Sequence, residues 1–429
     1  MTSSANDSDA AWREHIRQLL AQARNNQTFV PTPPRQVYLW APIANQLRVA
    51  AQLEWRDQFG IVRYTPEWLE SERAYALDPI NLPLMDTAIE VTENRGIPGV
   101  VADAGPDSWG SHVLELVSPN KTMRAVDRVL GSTGRGVGAL RATSVEDPRL
   151  LFSRHADNDP LEQIEHACWT VIEGMERDPS LDDLLRIHCV GMGGARPKAE
   201  VVVGGREVIA KFQRTNSDYW DIPRVEAACL ATARHAGFDV VKSAVVTVND
   251  RSALLVDRFD RRDGQPIHYL SARSLLNAFG EGEMETLPPK GRATYASIVA
   301  AALRIGVRNA GEEMFRRMCF NYAIGNTDDH LRNHGFLFEG TWRLAPAFDL
   351  VVLGGPAHEI GVGQDGLRRS RGNLLSRVED FGLGVGIAED LLMQAVDAAR
   401  HMGEELDRLE MPAKQRDQVL SRLCSEANS

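Results

Sequence analysis

Asn326-Thr327-Asp328-Asp329-His330-Leu331-Arg332-Asn333, followed after an apolar run by Phe348-Asp349, decides how the rest of this 429-residue chain is read. An acid, an amide five residues later and a second acid 16 residues beyond that set one base beside two hard oxygen donors. The Asp328 carboxylate can orient and deprotonate an attacking hydroxyl. The Asn333 amide oxygen and the Asp349 carboxylate suit Mg²⁺, which bridges nucleotide phosphates in phosphoryl-transfer centres. An Asp-x-x-x-x-Asn match is common on its own, so a nucleotide cradle upstream is needed.

Residues 190–198, Val-Gly-Met-Gly-Gly-Ala-Arg-Pro-Lys, supply such a cradle. Two strand-like runs follow, Ala199-Glu200-Val201-Val202-Val203 and Glu207-Val208-Ile209-Ala210-Lys211-Phe212, joined by a Gly204-Gly205 hairpin turn. Glycines let the backbone approach phosphate oxygens and present N–H donors to them. Lys211 stands on the second strand, 18 residues after Gly193, placed to reach a phosphate. Taken alone it also fits a snorkelling surface lysine. Glu226 opens an Ala-rich helical run stopped by Gly237, where a carboxylate can aim that ammonium. A solvated first-turn glutamate favoured by the helix dipole is the competing reading. Residues 253–262 then form an apolar strand ending in alternating acids and arginines, the place for an adenine ring to meet main-chain groups.

Together these stretches resemble the HipA-like serine/threonine kinases, toxin components of bacterial type II toxin–antitoxin modules. The resemblance runs from about residue 37 to beyond 375. It is carried by residues 97–110 (Ile-Pro-Gly-Val-Val-Ala-Asp-Ala-Gly-Pro-Asp-Ser-Trp-Gly), 193–198, 256–262, 325–333, 344–349 (Leu-Ala-Pro-Ala-Phe-Asp) and 370–375 (Ser-Arg-Gly-Asn-Leu-Leu). It implies that Asp328 is the catalytic base, that Asn333 and Asp349 bind magnesium, and that Lys211 contacts phosphate of ATP. It further implies that Gly193, Gly194, Ala195, Arg196, Pro197 and Lys198 cover the phosphates. Asp257, Arg258 and Phe259 would hold the adenine, and His330 with Phe348 would line the nucleotide site. The implied partners are a protein substrate and a helix-turn-helix antitoxin (HipB-like), with DNA reached only through that antitoxin. Some relatives act on aminoacyl-tRNA synthetases. Small-molecule kinases of the aminoglycoside or choline type share the acid/amide/acid set but are not expected to carry residues 98–110 and 370–375. A kinase-like corepressor that works by holding an antitoxin, and nucleotidyl transfer on the same scaffold, stay open as alternatives.

The chain divides by its punctuation. Residues 1–35 read as a helical extension beginning near Asp9, with a Pro31-Thr32-Pro33-Pro34 linker; residues 36–145 as a family-specific α/β subdomain. Residues 146–270 hold the glycine-rich loop and Lys211, and 271–429 the catalytic and metal-binding loops among helical runs at 295–304, 312–323, 388–402 and 413–424. The expected architecture is an α/β (α+β) amino-terminal lobe on an all-helical carboxy-terminal lobe, a two-lobed protein-kinase-like fold with its site in the intervening cleft.

A net charge of −11 argues against unaided nucleic-acid binding, which needs a basic footprint. The five cysteines are scattered without a CxxC pair, so neither a zinc site nor a disulfide framework is expected. No apolar run is long enough to span a bilayer and no signal segment opens the chain, which together suggest a cytoplasmic protein.

One position departs from the resembled family, whose well-studied members carry a serine at the head of the glycine-rich loop and silence themselves by phosphorylating it. Here that position is Gly191, and no Ser, Thr or Tyr occurs between Leu181 and Lys198. Peptide mass spectrometry after incubation with ATP is therefore expected to find no phosphate on residues 190–198, and Gly191→Ser to create a phosphorylation site. An active Gly191→Ser variant whose serine stays unmodified would refute the alignment.

Overall fold

Val37, Leu39, Ala41 and Ile43 alternate along one face of the first strand, β1 (Arg35–Ile43), and all four are buried. This strand pairs with β2 (Gln46–Trp55), and the antiparallel sheet continues through β3 (Gly60–Tyr64) and β4 (Ile89–Val91), with β5 (Arg141–Thr143) on the far side of β1, in the order β4-β3-β2-β1-β5. The computed structural model describes residues 35–424 apart from 45, 57, 119–122, 133–135, 148–158, 176–177, 192–193, 215–217 and 280–292. The helix expected near Asp9, the linker after it and Gly193 lie outside the described residues.

A second antiparallel sheet, in the order β6-β7-β9-β8, is built from β6 (Lys198–Val203), β7 (Arg206–Phe212), β8 (Ser243–Val248) and β9 (Arg251–Asp257). Gly204 and Gly205 close the β6–β7 turn with φ of 58° and 77°, a left-handed pair that glycine adopts without strain. One face of this sheet buries Val208, Ala210 and Phe212 against the helices Ser108–Val117, Leu161–Ile172 and Asp182–His188. Because side chains alternate, Ile209 and Lys211 face the opposite side, toward a cavity.

Beyond β9 a small hairpin, β10 (Arg261–Arg262) and β11 (Gln265–Pro266), leads to a third sheet of β12 (His268–Ser271), β13 (Gly335–Phe338) and β14 (Trp342–Leu344). The carboxy-terminal part is therefore not all-helical. Phe336, Leu337 and Phe338 pair on one side with β12 and on the other with β14, which satisfies their backbone groups while burying Phe336 and Leu337. Both larger sheets are antiparallel, so the amino-terminal part is α+β rather than α/β. Helices occur where periodicity placed them, at Tyr295–Arg304, Ala310–Ile324, Val385–Arg400 and Ala413–Leu420.

The helix Ala310–Ile324 fixes the segment that holds Asp328. It is buried along almost its whole length and ends at Gly325, which is left-handed at φ 70°. A Cβ there would lie 2.8 Å from the Arg422 carbonyl oxygen, so only glycine fits. Asn326 then folds back, its backbone N–H donating to the Asn321 carbonyl at 2.9 Å and its side chain to Asn321 Oδ1 at 3.0 Å. Asp329 is pinned from the other side by His334 Nε2 at 2.9 Å and by the Tyr295 hydroxyl. Asp328 is held between these two anchors.

A buried ion cluster joins the first two sheets. Arg258 donates to both carboxylate oxygens of Asp260 (2.9 and 2.6 Å), to Glu200 Oε1 (2.7 Å) and to the Gly136 carbonyl (3.1 Å). Asp260 also accepts from the Gly138 amide at 2.6 Å. Arg258→Ala takes the closest cation from buried Glu200 and leaves Asp260 to Arg261, and should cost about 3–5 kcal/mol in urea unfolding. A loss below about 1 kcal/mol, the scale of an exposed pair, would contradict this assignment.

Candidate active site

Asp221 accepts from the Arg224 amide at 3.1 Å and Pro223 occupies the first turn, so the helix Ile222–His235 begins one turn earlier than its Ala-rich run suggests. That shift carries Glu226 out of the first turn and into the interior, where it is 3% exposed. It is not a solvated dipole partner. Lys211 Nζ lies 2.5 Å from Glu226 Oε1 and 2.6 Å from Asp349 Oδ1, joining β7, this helix and the segment after β14 at one atom.

Asp349 sits at φ 58°, a left-handed conformation that costs a non-glycine residue free energy and that clusters at functional sites. Burial works against its charge, but the Lys211 and Lys198 ammoniums beside it hold its carboxyl well below the usual carboxylate range. Burial likewise opposes the Lys211 charge, yet Asp349 and Glu226 raise this ammonium above the ordinary lysine value. Glu226 is moved the other way, upward, chiefly by burial and also by the Asp349 charge, against the pull of Lys211. Lys198 is lowered by burial and by the neighbouring Lys211 charge.

Asp328 opens toward solvent, but enough protein surrounds it that burial, and then the Asp349 carboxylate, push its carboxyl upward against His330 and Arg196. Burial opposes the charge of its enclosed neighbour Asp329, but the bonds from His334 Nε2 and the Tyr295 hydroxyl hold that carboxyl below the usual range. The Asn333 side-chain amide nitrogen donates to the Asp328 carbonyl at 3.4 Å, which turns the amide oxygen away from the loop backbone.

A cavity of about 1030 Å³ collects Lys198, Lys211, His330, Asn333 and Asp349 on its walls, with Gly194 at its edge. Phe259 and Phe348 also line it and stack at 5.0 Å with 26° between their planes. Ile209 and Val241 join Val256, from the apolar strand expected beside an adenine ring, in an apolar wall; sequence patterning did not single out these first two.

Other expected residues are placed differently. Ala195, Arg196 and Pro197 are not on the cavity wall: Arg196 pairs with Asp218 at 2.9 Å, Ala195 is exposed and Pro197 accepts from the Phe212 amide. Asp257 and Arg258 reach the wall, but their backbone amides already donate to the Lys242 and Glu207 carbonyls. The Asp257 carboxylate pairs with Arg206 at 2.9 Å and the Arg258 guanidinium serves the buried cluster, so of these three residues only Phe259 offers its side chain to a ring.

Among the described residues, no group of three or more His, Cys, Asp or Glu side chains is arranged to hold a metal by itself. The donor set of Asp349 and Asn333 fits Mg²⁺ nonetheless, because that ion keeps several waters and draws most other ligands from substrate phosphates. Likewise among the described residues, no helix is long and apolar enough to cross a membrane.

Comparison with known proteins places this site in a family. Residues 190–408 match the HipA-like C-terminal domain, and the chain belongs to that family. A Sinorhizobium fredii protein named "Putative kinase Y4mE" is 23% identical over 311 residues, covering 67% of this chain and 71% of that protein. A Haemophilus influenzae "Putative kinase" is 24% identical over 181 residues, covering 38% of this chain and 53% of that protein. The fold matches a HipA chain of Shewanella oneidensis, solved in complex with HipB and operator DNA, with a TM-score of 0.64 and 17% identity. That match covers 90% of this chain and 96% of the other.

The Asp349 charge leaves a pH signature. A carboxyl whose folded pKa is depressed contributes stability that is present above its unfolded value, about 3.9, and is lost as pH falls toward the folded value. The stability gap between the wild type and Asp349→Asn, measured by urea unfolding, should be open at neutral pH and narrow as pH drops below about 4. A gap that widens on acidification would place the charge elsewhere.

Proposed function

We propose that this protein transfers the terminal phosphate of ATP to a serine or threonine hydroxyl of a protein target, and thereby arrests growth until an antitoxin binds it. The observation that carries this reading is the Lys211 ammonium shared between Glu226 and Asp349, with Asn333 on the same cavity wall and Asp328 within electrostatic reach of Asp349. Lys211 would neutralise charge on the phosphates and Glu226 would keep that lysine aimed. Bound Mg²⁺, held by Asp349 and Asn333, would supply charge neutralisation at the phosphate oxygens. Phe259 and Phe348 offer flat apolar surface to adenine.

In the transfer, the acceptor oxygen bonds to the γ-phosphorus as the bond from that phosphorus to the ADP oxygen breaks. The hydroxyl proton passes to the Asp328 carboxylate. An upward-shifted carboxyl suits this role, because it takes the proton more readily than an ordinary aspartate would. The antitoxin expectation draws on the Shewanella relative, which was solved with HipB and DNA. An overall charge of −11 fits a chain that meets DNA through such a partner. An aminoacyl-tRNA synthetase as target is family analogy.

The test is incubation of purified protein with Mg-ATP labelled at the γ-phosphate and a bacterial protein extract, followed by intact-mass and phosphopeptide analysis. A phosphate-sized mass increase on a serine or threonine is expected. Asp328→Asn should slow it by about 10²–10⁴-fold with nucleotide affinity nearly unchanged. An AMP-sized increase would replace the reading with nucleotidyl transfer, and transfer to metabolites alone would replace it with a small-molecule kinase.

A further inference from the structure

Residues 97–110 carry part of the family resemblance, yet the chemistry above uses none of them. Within this stretch Asp107 stands at the N-cap of the helix Ser108–Val117, where an aspartate side chain ordinarily accepts from the helix's own free amides. No bond from its side chain caps the helix. Its Oδ2 accepts from the Gly194 backbone N–H at 3.0 Å, and its Oδ1 accepts from Arg332 Nη1 at 3.2 Å and from its neighbour Ser108 Oγ at 3.4 Å. One side chain thus touches both the glycine-rich loop and the loop that carries Asp328 and Asn333.

The next turn tightens the same grip. The Trp109 backbone N–H donates to the Gly194 carbonyl at 3.0 Å, and its indole Nε1 donates to the Lys198 carbonyl at 2.8 Å. Gly194 is therefore held by both its amide and its carbonyl, and the loop is held again where β6 begins. This residue has φ 77°, a left-handed conformation that favours glycine, and it carries glycine's conformational freedom. Bonds from outside the loop are what fix it. Burial opposes the Asp107 charge, but Arg332 and the Gly194 amide keep the carboxyl below its usual range, so the bridge is ionic at neutral pH.

We infer that Asp107 is a positioning residue that seats the glycine-rich loop over the cavity and fixes its spacing from the Asp328 loop through Arg332. The inference rests on the nucleotide reading of the cavity. A loop ordered in advance offers its amides to phosphates without a further loss of freedom on binding, so the seat acts on nucleotide affinity more than on the chemical step. Trp109 backs it from the core of the second sheet, where it is buried with Val113 and Leu114.

Two readouts on the full-length protein test this. In hydrogen exchange without nucleotide, Asp107→Ala should speed exchange of the peptide spanning 190–198, while the rest of the second sheet stays protected. In steady-state assays, KM for Mg-ATP should rise about tenfold or more, the scale of a lost bond to a charged acceptor, with a smaller change in kcat. Asp107→Asn, which keeps an acceptor for Gly194 but not the charge for Arg332, should fall between. It also serves if the alanine variant does not fold. Arg332→Met should raise KM in the same direction, and its combination with Asp107→Asn should be less than additive. A lowered unfolding temperature with wild-type exchange and wild-type KM would overturn the inference and leave Asp107 a purely structural residue. Failure of the wild type to bind Mg-ATP would instead overturn the nucleotide reading, and the exchange experiment would still decide the seat.

Discussion

One ammonium shared between a buried carboxylate and one on the cavity wall organises this molecule. Lys211 meets Glu226 and Asp349 within 2.6 Å, and neither Lys211 nor Glu226 could be enclosed alone without a large desolvation cost. Their mutual neutralisation is the condition under which β7, the helix Ile222–His235 and the segment after β14 can pack together. The alternation of β7 sets the geometry: Val208, Ala210 and Phe212 go to the core, which leaves Lys211 on the face that meets the cavity. A backbone strain is accepted at Asp349 for the same contact.

Asp328 and Asp329 are adjacent in sequence and opposite in environment. Asp329 is enclosed, bonded to His334 and Tyr295 and held down; Asp328 is exposed to solvent, within reach of the Asp349 charge and pushed up. Environments that drive two neighbouring carboxyls apart are a way to assign one to scaffold and the other to proton transfer. With Asn326 anchored to Asn321 on the other side, the loop holds its reactive residue by fixing both flanks. The contacts of Asp107 with Gly194 and Arg332 tie residues 97–110 to the site as well.

Much of the site was legible because it is written locally. The Gly204-Gly205 turn between alternating strands and the lysine on the return strand each depend on few residues, and each stands where patterning put it. The Glu226 helix was recognised but started late, since Asp221 and Pro223 signal its beginning more weakly than the alanine run signals its body. The β13–β14 hairpin is hidden from an all-helical expectation because each strand is short and the partner strand β12 lies more than sixty residues upstream. The partners of the Arg258 guanidinium, Glu200 and Asp260, are not legible from its position beside the strand end. Asp107 was quoted only as part of a resemblance; its partners lie 87 and 225 residues away, beyond any local signal.

The most direct test of the shared-ammonium site is calorimetric titration with ATP, with and without Mg²⁺, on the wild type and on Asp349→Asn. If Asp349 is the carboxylate that brings metal to nucleotide, Mg²⁺ should strengthen ATP binding to the wild type, and the substitution should abolish that increment while native unfolding persists. Equal affinity with and without Mg²⁺ in the wild type, or an increment that survives in Asp349→Asn, would contradict it.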